Sequence, residues 1–319
     1  MAKPIKILLS FSLFLLLCLP FTHAQYATEM TVALDGSGDF TSIQAAIDAT
    51  KAFPDKPITI FIKNGIYREK VKVYAWNTHL TLQGEDKEQT IITYDDHFDK
   101  INRGRNSTFH TPTLLVQGND FKAENLTIEN TAGPVGQAVA LAVEADRCAF
   151  INCDINGYQD TLYVAGEGAR QYFRNCYIEG TTDFIFGAAT AFFEACTIHS
   201  KADSYITAAS TPEGIDDGFV FLHCTLTADE EVKKVYLGRP WRAYAKTVFL
   251  ECEMGSHIAK EGWQKWNAPE DGHTTFYAEY RAQGPGAAPE QRVSWSHQLS
   301  RKEARLYTIE KVLRGWSPE

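Results

Sequence analysis

The sequence predicts an all-β solenoid, a parallel β-helix with one short capping helix at its N-terminal end. Three observations carry this. A six-residue pattern recurs at solenoid spacing, the apolar stretches are short and rich in β-branched residues, and one segment has clear helical periodicity.

The recurring pattern is aromatic-x-x-Cys-x-aliphatic. It occupies 150–155, 173–178, 193–198, 221–226 and 249–254, with a degenerate copy at 121–126 in which Glu124 stands in the cysteine place. Successive starts lie 29, 23, 20, 28 and 28 residues apart, which suits stacked coils better than alternating βα units. Within each copy, Cys and the aliphatic residue two positions on share one face of a strand. The Phe is out of phase with them, so a bend is expected between Phe and Cys. Strands are further expected at 58–62, 79–82, 113–116 and 138–143. Residues 41–52 read as the helix, because Ile43, Ala46, Ile47 and the 49–50 pair recur at helical spacing behind a Thr/Ser start. Stacking would place Cys153, Cys176, Cys196, Cys224 and Cys252 in one interior ladder. Cysteine is a small buried hydrophobe more often than a bridge in such a setting, so these five are expected to be reduced.

The N-terminus carries Lys3 and Lys6, an apolar run over 7–21 and then Thr22-His23-Ala24, the layout of a cleaved secretory signal over 1–24. The run is shorter than the roughly 20 apolar residues of a membrane anchor, so a secreted protein, extracellular or periplasmic, is expected. Its removal takes away two lysines and no acid, moving the formal net charge from −9 to −11 over the remaining 295 residues. That balance disfavours a nucleic-acid partner. No linker or low-complexity tract divides 25–319, so a single catalytic domain is expected, acting as a monomer without a membrane anchor.

Two aspartates repeat at one offset. Gly157 and Asp160 follow Cys153 by four and seven residues, and Gly180 and Asp183 follow Cys176 in the same way. On neighbouring coils they would lie over one another at the inter-strand spacing of about 4.8 Å. Carboxylates that close do not both ionise readily, so one proton is retained. An Asp beside a Gly is ordinarily a turn residue, and Asp203 and Glu231 share the offset without the Gly or the apolar pair. The aromatic and aliphatic flanks of Asp160 and Asp183 weigh the other way, since a carboxylate beside Phe184, Ile185 and Phe186 is costly unless paired.

At these residues the chain closely resembles the pectin methylesterase (pectinesterase) family. The matching blocks are Gly65-Ile66-Tyr67-Arg68-Glu69, Gly136-Gln137-Ala138-Val139-Ala140-Leu141, Gly157-Tyr158-Gln159-Asp160-Thr161-Leu162-Tyr163, Asp183-Phe184-Ile185-Phe186-Gly187 and Leu237-Gly238-Arg239-Pro240-Trp241. The resemblance implies a right-handed parallel β-helix and removal of methyl groups from methyl-esterified polygalacturonate (pectin). It implies Asp183 as nucleophile, Asp160 as general acid and then base, Gln137 and Gln159 as oxyanion donors, and Arg239 as the group that holds and ionises Asp183. Trp241, Tyr163 and Phe186 would line the sugar groove, with Phe109 and Thr113 from a looser matching segment. Trp263, Trp266 and the segment 280–286 read mainly as packing, with Trp266 as a further candidate for substrate contact. Thr182 and Ala142 depart from the commonest family pattern, Val and a basic residue being frequent there, which bears on substrate preference.

Other readings stay open at this level. Paired carboxylates also suit a retaining glycosidase, a polysaccharide lyase fits the architecture, and a non-catalytic carbohydrate-binding protein could keep the fold. Two glutamines and an arginine favour acyl transfer, and no Asp-rich calcium loop is evident. No cofactor or metal is expected. Methanol release from methylated pectin should therefore survive exhaustive chelation, and loss of turnover to EDTA with recovery on adding Ca²⁺ would contradict the metal-free reading.

Overall fold

The computed structural model describes residues 26–266 and 274–318. The expected secretory segment lies outside them. Among the described residues, every strand ladder is parallel, and the strands form sheets of eleven, eight and seven members. The chain visits the three in turn. One coil runs through Cys148–Ile151, Asp154–Asn156 and Leu162–Val164, and the next through Arg170–Arg174, Tyr177–Gly180 and Ile185–Gly187. This is a parallel β-helix, as the repeat spacing predicts.

The bend between Phe and Cys is a single residue in the left-handed region. Asn152, Asn175, Ala195, His223 and Glu251 all have φ between 50° and 53° and stand directly before the five ladder cysteines. Asparagine tolerates this conformation better than most residues, which suits the first two positions. After each bend the cysteine carbonyl accepts the next coil's N–H, from Tyr177 to Cys153, Thr197 to Cys176, Thr225 to Cys196 and Glu253 to Cys224. The five thiols are thus in register. Each donates to the carbonyl two residues earlier and to one on the preceding coil, as Cys176 does to Arg174 and Phe150, both at 3.4 Å. All six described cysteines, Cys148 included, are free and buried.

The phenylalanines form a second interior column. Phe150, Phe173, Phe193, Phe221 and Phe249 stack with centroid separations of 4.9, 4.8, 4.5 and 4.4 Å. Trp263 and Tyr277 continue it toward the C-terminal end. Each ring is fully removed from water, worth about 1.5–3 kcal/mol, with roughly 0.5–1.5 kcal/mol more from the ring pairing.

The degenerate copy is displaced from its expected register. Phe150 pairs with Ala123 rather than Phe121, and Leu126, not Glu124, occupies the cysteine column, where its carbonyl accepts the Asp154 N–H. A buried column cannot take an unpaired carboxylate, so the coil aligns its aliphatic side chain there and turns Glu124 outward to Lys122. Phe121 still reaches the stack, tilted against Phe150 at 5.8 Å.

The helix is shorter than its periodicity suggests, Ile43–Asp48, because the Ser42 side chain caps the Ala45 N–H and Ala49 closes the other end. Ile43, Ala46 and Ile47 are buried in the main core. The strands expected from 79, 113 and 138 begin one to three residues later, at Leu80–Gly84, Leu114–Val116 and Leu141–Val143. Two short helices that the sequence reading did not anticipate, Arg301–Ala304 and Ile309–Val312, fold back on the eleven-stranded sheet. There Val312 and Leu313 cover Tyr172, Phe192, Val220 and Val248.

The ladder thiols should be silent to alkylating reagents in the native protein and all react on denaturation without reductant. Mass spectrometry detecting native disulfides among the five would refute the interior ladder.

Candidate active site

The outer face of the seven-stranded sheet carries one column across five coils. Leu115, Ala142, Tyr163, Phe186 and Ala208 lie directly opposite one another in register. Phe109 leans on Tyr163 at 5.1 Å, Tyr163 stacks on Phe186 at 4.8 Å, and Trp241 meets Phe186 edge-on at 5.9 Å. Together they make the apolar floor and wall of a cleft of roughly 270 Å³.

Two glycines let the coils close this tightly. A Cβ at Gly187, whose φ is +131°, would stand 1.9 Å from the Val164 carbonyl oxygen, and one at Gly238 would stand 2.0 Å from the Thr207 hydroxyl. The glycines of the Phe184–Gly187 and Leu237–Trp241 blocks are therefore required by inter-coil contact.

Just before this floor, the turn into the sheet brings the polar groups together. Asp160 and Asp183 hold the left-handed conformation, with φ of 64° and 51°. Each stands two residues before the paired Leu162 and Ile185, so they occupy equivalent places on adjacent coils. The Asp160 N–H donates to Thr182 and the Asp183 N–H to Tyr205, continuing the ladder through the turn. Gln137 and Gln159 form a parallel bridge one residue earlier, so two amides and two carboxyls sit in neighbouring columns at the same cleft. Asp203, which shares the sequence offset, is in contrast an exposed turn residue that accepts the backbone N–H groups of Lys233 and Lys234. The turn reading holds for it.

Arg239 reaches Asp183 across 56 residues of sequence. Its Nε donates to Oδ1 at 2.9 Å and its Nη2 to Oδ2 at 2.6 Å, a bidentate pair on a carboxyl that is only 5 % exposed. The guanidinium is itself clamped between aromatic rings, 4.0 Å from the centroid of Tyr205 and 3.9 Å from that of Trp266.

The two carboxyls are driven to different proton affinities. Burial pushes Asp160 well above the usual carboxylate range and the Asp183 charge adds to this, with Arg239 opposing. Burial also raises Asp183, but the hydrogen bonds and charge of Arg239 offset part of that rise. Arg239 therefore does not hold Asp183 below its ordinary value; it keeps Asp183 the more acidic member of a raised pair. The two carboxyls thus differ in proton affinity, with Asp160 raised the more strongly.

Most residues expected from the sequence meet here: Gln137, Gln159, Asp160, Asp183, Phe109, Phe186, Arg239, Trp241 and Trp266 line the cleft. Tyr163 supports it from the aromatic floor. Thr113 does not reach it. Its side chain is fully buried, with the hydroxyl donating to the Glu129 carbonyl at 2.9 Å, so it secures the turn before Leu114–Val116. Trp263 is packing, in the interior column. Arg105 and Thr108 also line the cleft and were not anticipated, nor was the role of Tyr205 under Arg239. The only sequence signal for Tyr205 was an aromatic opening the next strand, Tyr205–Ala209. No cluster of three or more metal-ligating side chains occurs among the described residues.

The family model described as Pectinesterase matches residues 29–316. Pectinesterase 31 of Arabidopsis thaliana is 41% identical over 281 residues, covering 86% of this chain and 88% of that protein. Among solved structures, the pectin methylesterase from carrot superposes with a TM-score of 0.84 at 34% identity, covering 90% of this chain and 93% of that one. A pectin methylesterase in complex with a hexasaccharide superposes with a TM-score of 0.80 at 30% identity, covering 92% and 99%.

Replacing Arg239 by Gln should raise the Asp183 carboxyl by about 1–3 pH units, the scale of one adjacent opposite charge. Carbon-13 titration of the aspartate carboxyls would follow it. An unchanged titration in the folded variant would mean that the bidentate pair does not set this affinity.

Proposed function

The chain belongs to the pectinesterase family, and on that basis we propose that it removes methyl groups from methyl-esterified homogalacturonan with Asp183 as nucleophile and Asp160 as acid and base. The observation that carries the reading is the bidentate Arg239–Asp183 pair beside the more strongly raised Asp160 carboxyl.

The Asp183 carboxylate attacks the ester carbonyl, and the developing oxyanion takes hydrogen bonds from the Gln137 and Gln159 amides, which donate without titrating. As the tetrahedral adduct collapses, the C–O bond to the methoxy group breaks and Asp160 gives it a proton, releasing methanol. An acyl anhydride remains on Asp183. Water then attacks the substrate acyl carbonyl and Asp160 accepts one of its protons. The bond from that carbon to the Asp183 oxygen breaks, Asp183 leaves as a carboxylate, and the demethylated sugar acid loses its remaining proton to solvent, restoring both aspartates. The column of Tyr163, Phe186 and Trp241 offers apolar faces to the sugar rings, with Phe109 closing one side.

The same reading takes 25–319 as one exported catalytic unit, freed from the segment 1–24 and acting as a monomer outside the cytoplasm on its polymer. Among the described residues, no helix is long and apolar enough to cross a membrane.

The roles of the aspartates separate by leaving group. Methoxide leaves poorly, so Asp160→Asn should slow methyl ester cleavage by roughly 10²–10⁴-fold while an aryl ester of galacturonate, which needs little proton donation, retains far more of its rate. Asp183→Asn should lose both to a similar degree, because the attacking atom is gone. The ratio of aryl to methyl ester kcat/KM decides the matter: an unchanged ratio in Asp160→Asn sinks the acid assignment, and aryl rescue in Asp183→Asn instead reverses the roles.

A further inference from the structure

On a different face of the coil stack lies a second cleft, of roughly 310 Å³, between the C-terminal helix Arg301–Ala304 and the bend that joins the eleven- and eight-stranded sheets. Its composition is unlike that of the chain as a whole. The protein carries a formal net charge of −9, yet this cleft is lined by Arg281, Arg301 and Arg305 together with His223, against a single carboxylate, Glu251. We infer that it binds the carboxylates of de-esterified galacturonan, a polyanion site separate from the Asp160–Asp183 cleft; the identity of the polymer rests on the proposed function.

Three observations support the assignment. First, two of the basic groups are not neutralised in place. Glu251 is shared between His223 at 3.0 Å and Arg281 at 4.0 Å, leaving the Arg301 and Arg305 guanidinium groups without an ion pair among the described residues. Glu303, on the same helix, is occupied by its capping box with Ser300.

Second, the bends of the last coils project charged side chains into this cleft. Earlier coils place Asn125, Asn152, Asn175 and Ala195 at the left-handed bend. The last three place His223, Glu251 and Arg281 there, with φ of 53°, 50° and 50°. The bend is common to the coils, so what changes toward the C-terminal end is the side chain it projects, from short polar or small groups to His223, Glu251 and Arg281.

Third, the cleft carries further groups suited to an acidic sugar. Arg281 lies 5.5 Å from the Tyr280 ring centroid, and Tyr307 also lines the cleft. Arginine pairs with planar carboxylates through two parallel N–H groups, while a phenol donates to a sugar oxygen. The catalytic cleft opens on the seven-stranded sheet, so a chain held at this bend leaves it accessible. The product of the proposed reaction, with a carboxylate on each demethylated sugar, is the polymer this cleft would retain.

The test uses the full protein and the triple variant R281Q/R301Q/R305Q on immobilised, fully de-esterified polygalacturonate at low salt. Retention of the variant should fall about tenfold, the size expected of several exposed charge pairs acting together, and added salt should erase the difference. Turnover of a short methyl-esterified oligomer should be unchanged, since none of the three arginines lines the catalytic cleft. Equal retention of variant and wild type, or no retention of wild type, overturns the second site. Failure of the wild type to release methanol from the short ester, with arginine-dependent retention intact, would overturn the esterase reading and leave the polyanion site standing.

Discussion

Parallel, in-register hydrogen bonding from coil to coil is the constraint on which everything else rests. Once Asp154, Tyr177, Thr197, Thr225 and Glu253 are aligned, the residues around them are forced into columns. The ladder cysteines, the stacked phenylalanines and the left-handed bends are three of those columns. The column positions tolerate little variety. An interior ring must match the ring above it, a bend must accept positive φ, and an inward column takes a charged group only when it is paired, as Glu279 is with Arg292 beyond Phe249. Glu124 has no such inward partner, and Leu126 takes its place.

The candidate active site uses the same constraint for a different end. A turn held at positive φ directs side chains out of the ladder, and two successive coils fill that place with aspartate. Backbone alignment thus brings two carboxyls together that would separate if they were free to move. The tension is relieved asymmetrically. Only Asp183 has a guanidinium, and that guanidinium is fixed by Tyr205 and Trp266 as well as by the ion pair. Burial raises both carboxyls, the Asp183 charge raises Asp160 further, and the hydrogen bonds and charge of Arg239 offset part of the rise at Asp183.

Much of this was legible in the chain because periodicity is a local property. The Cys copies announce the coils, and the Gly and Asp offsets from Cys153 and Cys176 announce the paired aspartates without any partner being known. Legibility failed where a residue's place depends on distant packing. Phe121 matches the pattern by residue type, yet the register follows Ala123 and Leu126. Thr113 lies within a matching segment, yet its hydroxyl is spent on the Glu129 carbonyl. Arg105 and Tyr205 belong to no motif, and only folding brings them to the cleft or to Arg239.

The sequence by itself determined the coil repeat, the strand composition and the two aspartates on adjacent coils, since each follows from residue type at short spacing and from the chemistry of burying it. The tertiary structure alone decided how the carboxyls differ. That difference comes from the depth of burial, the charge of one carboxyl acting on the other, and an arginine 56 residues away held between two aromatic rings. It also decided where basic residues from the last coils and the C-terminal helix converge, because electrostatic fields depend on distance in space and the chain records only distance along itself.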